Sequence, residues 1–263
     1  EKPLAPSLAE CQAIQNAAQK AQRYLMVAYR LHFDEATLKA IDIAQSGKLG
    51  ELRLFSSFFS HVVRPGDIRT RDELAGGALL DLGVYCVNAA RNLFRAEPIS
   101  VSAQIIERDG ADDTTSATLG FPGDRIAQFV VSNSTAAVSS YRIAGTEGSL
   151  RVEPGYEYRE PIEFFLTVGD SNDHYKFDVG DQFGPELVYF SNCILQSREP
   201  EPSAEEGILD IRVIEAIFQA ARTGTTVKLE PRTRGRRPNT LQIMHKPAVG
   251  KQETVHSESP SIK

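Results

Sequence analysis

The sequence has no tryptophan, two methionines and three cysteines among 263 residues. Cys11, Cys86 and Cys193 lie far apart, are odd in number and show no C-x-x-C spacing. That pattern argues against a disulfide framework and against a zinc site; buried free thiols in a reducing cytoplasm are the default reading. No run of about 18 apolar residues occurs, so no membrane span is expected. The opening Glu1-Lys2-Pro3 carries neither an apolar signal region nor an initiating Met. It reads as a chain cut, processed or made as a fragment. Nor does a G-x-G-x-x-G occur anywhere. Gly145-Thr146-Glu147-Gly148 does not replace it, because it falls between two candidate strands and reads as a turn.

What is present is ordinary globular material: 41% hydrophobic, 24% charged, net charge −6. This length suffices to bury a real core. Mild acidity is a poor match for nucleic acid, which is therefore excluded as a main partner.

The chain changes period along its length. Ser7 and Glu10 are spaced as in a capping box and start a helix to about residue 22. Residues 24–29 form a continuous apolar run, which predicts a strand buried on both faces. A second helix is expected over 34–46, closed by Gly47 and Gly50, then a Phe-rich strand over 52–62. Residues 63–77 are polar and read as a loop; a helix follows over 78–94. From Ile99 the period becomes two, predicting strands at 99–107, 114–121, 126–132, 139–144, 149–152, 162–168 and 174–178. With no helices between them they make a mostly antiparallel sheet. Helices at 183–196 and 204–222 and a short strand at 227–229 complete the pattern. After Pro231, Arg232, Arg234, Arg236 and Arg237 cluster in a region without periodicity. This reads as a solvated basic tail, with docking on a neighbouring subunit as the lesser reading.

Ligands collect at the carboxyl ends of strands in open α/β sheets. Glu1-Lys2-Pro3 and the stretch from Ala28 through Tyr29, Arg30 and Phe33 fall at such ends. A third stretch runs from Ala75-Gly76-Gly77 to Asp81, Gly83 and Tyr85. Asp81 and Tyr85 are four apart, so they share one helix face. The paired glycines permit close backbone approach. A carboxylate beside a phenol makes a proton-transfer pair: the phenol exchanges a proton with an alcohol and the carboxylate orients the substrate hydroxyl. A free phenol has a pKa near ~10, so a nearby cation such as Lys2 would be needed to stabilise the phenolate.

In these three stretches the sequence resembles the glucose-fructose oxidoreductase, inositol dehydrogenase and rhizopine-catabolism (Gfo/Idh/MocA) family, closest in flavour to glucose-fructose oxidoreductases and aldose (xylose) dehydrogenases, which carry Tyr where inositol dehydrogenase carries His. Glu205-Glu206-Gly207 through Asp210, Arg212, Glu215 and Thr223-Gly224 resembles that family's closing helix. The resemblance covers Glu1 to about Pro231. It implies an oxidoreductase acting on the CH–OH group of a sugar or polyol with NADP or NAD. By the same resemblance Lys2, Asp81 and Tyr85 are catalytic. Lys2, Arg30 and Arg69 would contact cofactor, and Lys2, Tyr29, Asp81 and Tyr85 would contact substrate; no metal is implied. The sequence departs from the family where Ile68-Arg69 stands for a Trp-Arg pair, so an aromatic wall is missing. It also departs in lacking the Gly-rich turn that grips pyrophosphate, part of a region of roughly 100 residues in a standard nucleotide-binding half.

The expected fold is α+β: a remnant of a Rossmann-like α/β unit, then a large, mostly antiparallel open sheet with helices on one face. Residues 1–30 are read as the end of a dinucleotide-binding domain, 31–231 as the substrate and dimerisation domain, and 232–263 as an extended tail. The bare sheet face predicts a homodimer or homotetramer. The alternative function is a non-catalytic sugar-binding or dimerisation module that pairs with a full-length homologue.

Overall fold

In the computed structural model, residues 1–71 and 75–247 are described; Asp72 and Glu73 of the expected loop, and the end of the expected tail, lie outside them. Nine strands form one sheet in the order β8-β7-β6-β5-β1-β4-β3-β2-β9. They are β1 Leu52–Val62, β2 Ser100–Arg108, β3 Ala111–Phe121, β4 Arg125–Ser132, β5 Ser134–Gly145, β6 Gly148–Glu153, β7 Ile162–Val168, β8 Ser171–Phe177 and β9 Val227–Lys228. Every neighbouring pair is antiparallel except β1 with β4, which run parallel. The fold is α+β, as the period-two run after Ile99 predicts.

Among the described residues five α-helices accompany the sheet: α1 Leu8–Lys20, α2 Glu35–Gln45, α3 Val84–Phe94, α4 Gly184–Leu195 and α5 Ala204–Thr223. Their ends follow local chemistry. Ser7 accepts from the Glu10 amide at the start of α1, and Asp34 accepts from the Thr37 amide at the start of α2. Gly224 closes α5 in the left-handed conformation. The strands alternate in burial. Phe55, Ser57 and Phe59 of β1 are buried, while Leu54, Ser56 and Phe58, which alternate with them, are exposed. The buried set joins the inner residues of α2, α3 and α5 in one core. On the other sheet face Leu54, Phe58, Ile126 and Val138 are exposed, with no helix of the described residues packed on them.

Two expectations are corrected. Residues 24–29 do not form a strand. Only an isolated bridge joins Met26 to Ser203, and the Val27 amide donates to the Pro202 carbonyl at 3.2 Å. A strand exists only by pairing, and no strand among the described residues lies alongside; the apolar run is satisfied by burial of Val27 and Tyr29 instead. The basic cluster after Pro231 is not uniformly solvated. Arg232 and Arg236 are exposed, but Arg234 and Arg237 are buried within the same chain. Arg234 pairs with Glu206 and, at 2.6 Å, with Glu201; Arg237 pairs with Glu97 at 2.8 Å. Buried acids on α5 and before it require buried counter-charges, and the segment after β9 supplies them.

Candidate active site

The candidate site is built around the start of α3. Leu79–Gly83 forms one π-helical turn that runs directly into α3; such turns concentrate at functional sites. It is entered through Gly77, whose φ is +115°, and a Cβ there would lie 1.8 Å from Asp112 Oδ1. Only glycine fits. Asp112 on β3 accepts from the Leu79 amide at 2.7 Å and from the Thr115 hydroxyl at 3.2 Å. Burial pushes its carboxyl up to about 7.

This turn presents Asp81 and Tyr85 on the same side. Lys2 Nζ donates to the Asp81 carbonyl at 2.6 Å and to Asp81 Oδ1 at 2.9 Å. The same ammonium lies 4.7 Å from the centre of the Tyr85 ring. Arg69 Nε donates to Asp81 Oδ2 at 3.0 Å. Burial alone would raise the Asp81 carboxyl; the Lys2 ammonium and the Arg69 guanidinium overcome that and hold it below the usual carboxylate value. Asp81 is therefore an anion gripped by two cations. The Tyr85 ring is wedged edge-on against Phe59 at 5.7 Å and lies 6.0 Å from Tyr156. Tyr156 is anchored in turn by a 2.6 Å hydrogen bond between its hydroxyl and Ser57.

Arg30 approaches Tyr85 from another direction, with its guanidinium 5.1 Å from the ring centre. It is buried and donates to Gln182 and, at 2.5 Å, to the Tyr156 carbonyl. Lys2, Arg30, Arg69, Asp81 and Tyr85 thus come together from four separated parts of the chain. Tyr29 does not join them. It is buried, stacks on His32 with centroids 5.3 Å apart, and meets Tyr85 only across a small internal cavity that both line. Tyr29 caps the turn Arg30–His32, in which the buried Arg30 turns to Tyr85 and Tyr156 instead.

Three residues escape the motif reading. His61 continues the inward row of β1 and feels Asp81, Arg69, Asp67 and Lys2. Burial is the chief cause that lowers its pKa. The period-two row through Phe55, Ser57 and Phe59 carries the signal for it. Asp112 and Tyr156 have no such signal, because an Asp in one strand and a Tyr in a turn acquire their roles only by folding. Behind the site, His32 bonds Glu201 at 3.1 Å and Asn88 at 2.8 Å, within a buried network of Arg91, Glu97, Glu206, Asp210 and Arg234.

A profile described as the GFO/IDH/MocA C-terminal domain matches residues 37–151. A D-xylose 1-dehydrogenase (NADP(+)) of Haloferax volcanii is 31% identical over 236 residues, covering 88% of this chain and 72% of its own. The chain belongs to the Gfo/Idh/MocA family. A second D-xylose 1-dehydrogenase [NADP(+)], from Haloarcula marismortui, is 29% identical over 241 residues, 88% of this chain and 67% of the relative. The solved aldose-aldose oxidoreductase of Caulobacter crescentus, complexed with glycerol, superposes with a TM-score of 0.82 at 34% identity, over 87% of this chain and 70% of that one. The Gfo/Idh/MocA match spans His61, Arg69, Asp81 and Tyr85, whereas Lys2 and Arg30 lie before it.

Proposed function

We propose that this chain carries the substrate side of an NAD(P)-dependent oxidoreductase acting on the CH–OH group of a sugar or polyol. The observation that carries it is the Lys2–Asp81–Tyr85 arrangement, with one ammonium 2.9 Å from a carboxylate and 4.7 Å from a phenol ring. The NADP-dependent xylose dehydrogenases among its relatives support the substrate class and favour NADP.

The residues divide the work by chemistry. Tyr85 exchanges the proton of the reacting hydroxyl. Lys2 and Arg30 flank its ring and stabilise negative charge developing on its oxygen as the proton leaves. Asp81, kept ionised by Lys2 and Arg69, accepts a hydrogen bond from the substrate hydroxyl and orients it. A bound nicotinamide supplies or accepts the hydride. Lys2, Arg30 and Arg69 are the residues that would contact that cofactor. Its pyrophosphate finds no Gly-rich strand–turn–helix among the described residues. We read residues 1–30 as part of a dinucleotide-binding domain and expect this chain, tested by itself, to bind nicotinamide dinucleotides weakly. Titration with NADPH and NADH tests this, and micromolar affinity for either would refute it.

The exposed apolar sheet face supports a homodimer or homotetramer. Three free, buried cysteines and the absence, among the described residues, of any helix able to cross a membrane fit a cytoplasmic enzyme. A second reading is a non-catalytic module that pairs with a full-length homologue. The intact Lys2–Asp81–Tyr85 geometry weighs against it. Tyr85→Phe tests the two: the enzyme reading expects turnover to collapse with cofactor binding kept, and unchanged turnover removes Tyr85 from its role.

A further inference from the structure

Asp81 can orient a reacting hydroxyl only if its own carboxylate is held still. Lys2 takes Oδ1 at 2.9 Å and Arg69 Nε takes Oδ2 at 3.0 Å, which leaves a further acceptor position on each oxygen. The Arg69 side chain is 33% exposed, and an arginine so exposed and held at one end contributes little by itself. Asp67 holds its other end. The Asp67 Oδ1 accepts from Arg69 Nη1 at 3.1 Å and from the Arg69 amide at 2.9 Å. The backbone around this pair is fixed as well. The Thr70 hydroxyl donates to the Asp67 carbonyl at 2.8 Å across the short turn Ile68–Thr70. The Gly77 amide donates to the Arg69 carbonyl at 2.8 Å, and the Gly76 amide to the Arg71 carbonyl at 2.9 Å. A Cβ at Gly76 would lie 2.6 Å from the Ile68 carbonyl oxygen and 2.7 Å from that of Arg71, so the segment that leads to Asp81 sits directly against this loop.

A guanidinium is planar and rigid, so fixing one of its nitrogens fixes the direction of the others. With Nη1 on Asp67, Nε is aimed at Asp81 Oδ2. The result is a row of alternating charge, Asp67–Arg69–Asp81–Lys2, whose last member lies 4.7 Å from the centre of the Tyr85 ring. Asp67 thus reaches Asp81 through Arg69. We propose that Asp67 is a positioning residue for the reaction: acting through Arg69, it fixes the direction in which the Asp81 carboxylate receives the reacting hydroxyl. The proposal rests on the oxidoreductase reading of this site. It gives Arg69 a task apart from any contact with cofactor.

Two readouts test it. The first needs no turnover. In the chain with isotope-labelled arginine, the Arg69 Nε proton exchanges with water more slowly than that of the exposed Arg232. Asp67→Ala raises the Arg69 rate about tenfold, the opening released by loss of one net hydrogen bond. Asp67→Asn, which keeps an oxygen acceptor in the same place, leaves the rate slow. The second readout is kinetic. With D-xylose and NADP+, Asp67→Ala lowers kcat/KM for the sugar about 10- to 100-fold, the effect of a small misplacement at the reacting centre. Asp67→Asn recovers most of that loss. In an Arg69→Ala background, Asp67→Ala lowers kcat/KM no further, because its route to Asp81 is gone. An Arg69 exchange rate that Asp67→Ala leaves unchanged overturns the proposal. So do losses that multiply in the double variant, since they show Asp67 acting apart from Arg69. An Arg69 proton held through Asp67 in a wild-type protein with no turnover would remove the oxidoreductase reading and leave the clamp on Asp81 standing.

Discussion

Gly77 and Asp112 illustrate how single residues set this site. The glycine takes a φ of +115° and leaves no room for a Cβ because the Asp112 carboxyl fills that space. Gly77→Ala is expected to cost on the order of 1–3 kcal/mol in stability, from backbone strain alone, and denaturant unfolding measures it. Asp112 also titrates against folding. Its carboxyl is raised from 3.8 to about 7. Between those values the folded state holds a proton that the unfolded chain has released. This group's contribution to stability is therefore largest below pH 3.8 and is lost as pH rises through about 7. Asp112→Asn should flatten that part of the stability–pH curve; an unchanged slope would show that the carboxyl is not the source. Glu201 runs the other way. Burial would raise it, but His32 and Arg234 pull it down to about 2. Its contribution is present above 4.5 and disappears as pH falls through about 2. At this scale the sequence is legible where chemistry is local. Asp81 and Tyr85, four apart on one helix, and Lys2 in its Glu-Lys-Pro setting can be picked out directly. Asp112 cannot, because nothing in its own neighbourhood says that β3 passes beneath the Gly-Gly turn.

Among the elements, the segment after β9 departs most from a sequence reading. Four arginines in six residues look like a solvated tail. Two of them instead plug a buried acidic cluster: Arg234 meets Glu201 and Glu206, and Arg237 meets Glu97. Charge patterning cannot reveal this, since the acids lie in or before α5 and after α3, far along the chain. The cluster reaches the candidate site by contact, as Glu201 bonds His32, which stacks on Tyr29 beside Arg30. Arg234→Ala leaves two carboxylates short of a buried partner and is expected to cost about 3–5 kcal/mol. Arg232→Ala, at an exposed position, should change stability by less than about 0.5 kcal/mol. Urea unfolding of the two variants side by side checks both, and equal effects would contradict the buried-strap account. The strands, by contrast, are legible nearly to their ends, because alternation survives wherever one sheet face is buried. The run at 24–29 misleads for a related reason: apolar content reports burial, not pairing.

For the whole molecule, the sheet divides the protein into a working side and an open side. Helices and the candidate site occupy one face; Leu54, Phe58, Ile126 and Val138 lie bare on the other. Leu54 and Ile126 are register partners on adjacent strands, so these two exposed apolar groups lie side by side. Phe58→Glu should convert the expected dimer to monomer in sedimentation experiments without lowering the unfolding midpoint, and a monomeric wild-type protein would contradict that use of the face. The central claim concerns the working side: that Tyr85, braced by Lys2 and Arg30 beside Asp81, moves the proton of a sugar hydroxyl. The most direct test is reduction of NADP+ by D-xylose, wild type against Tyr85→Phe. The account predicts a loss of turnover of about 10²- to 10⁴-fold with unchanged affinity for NADP+. Equal turnover in the two proteins would contradict it.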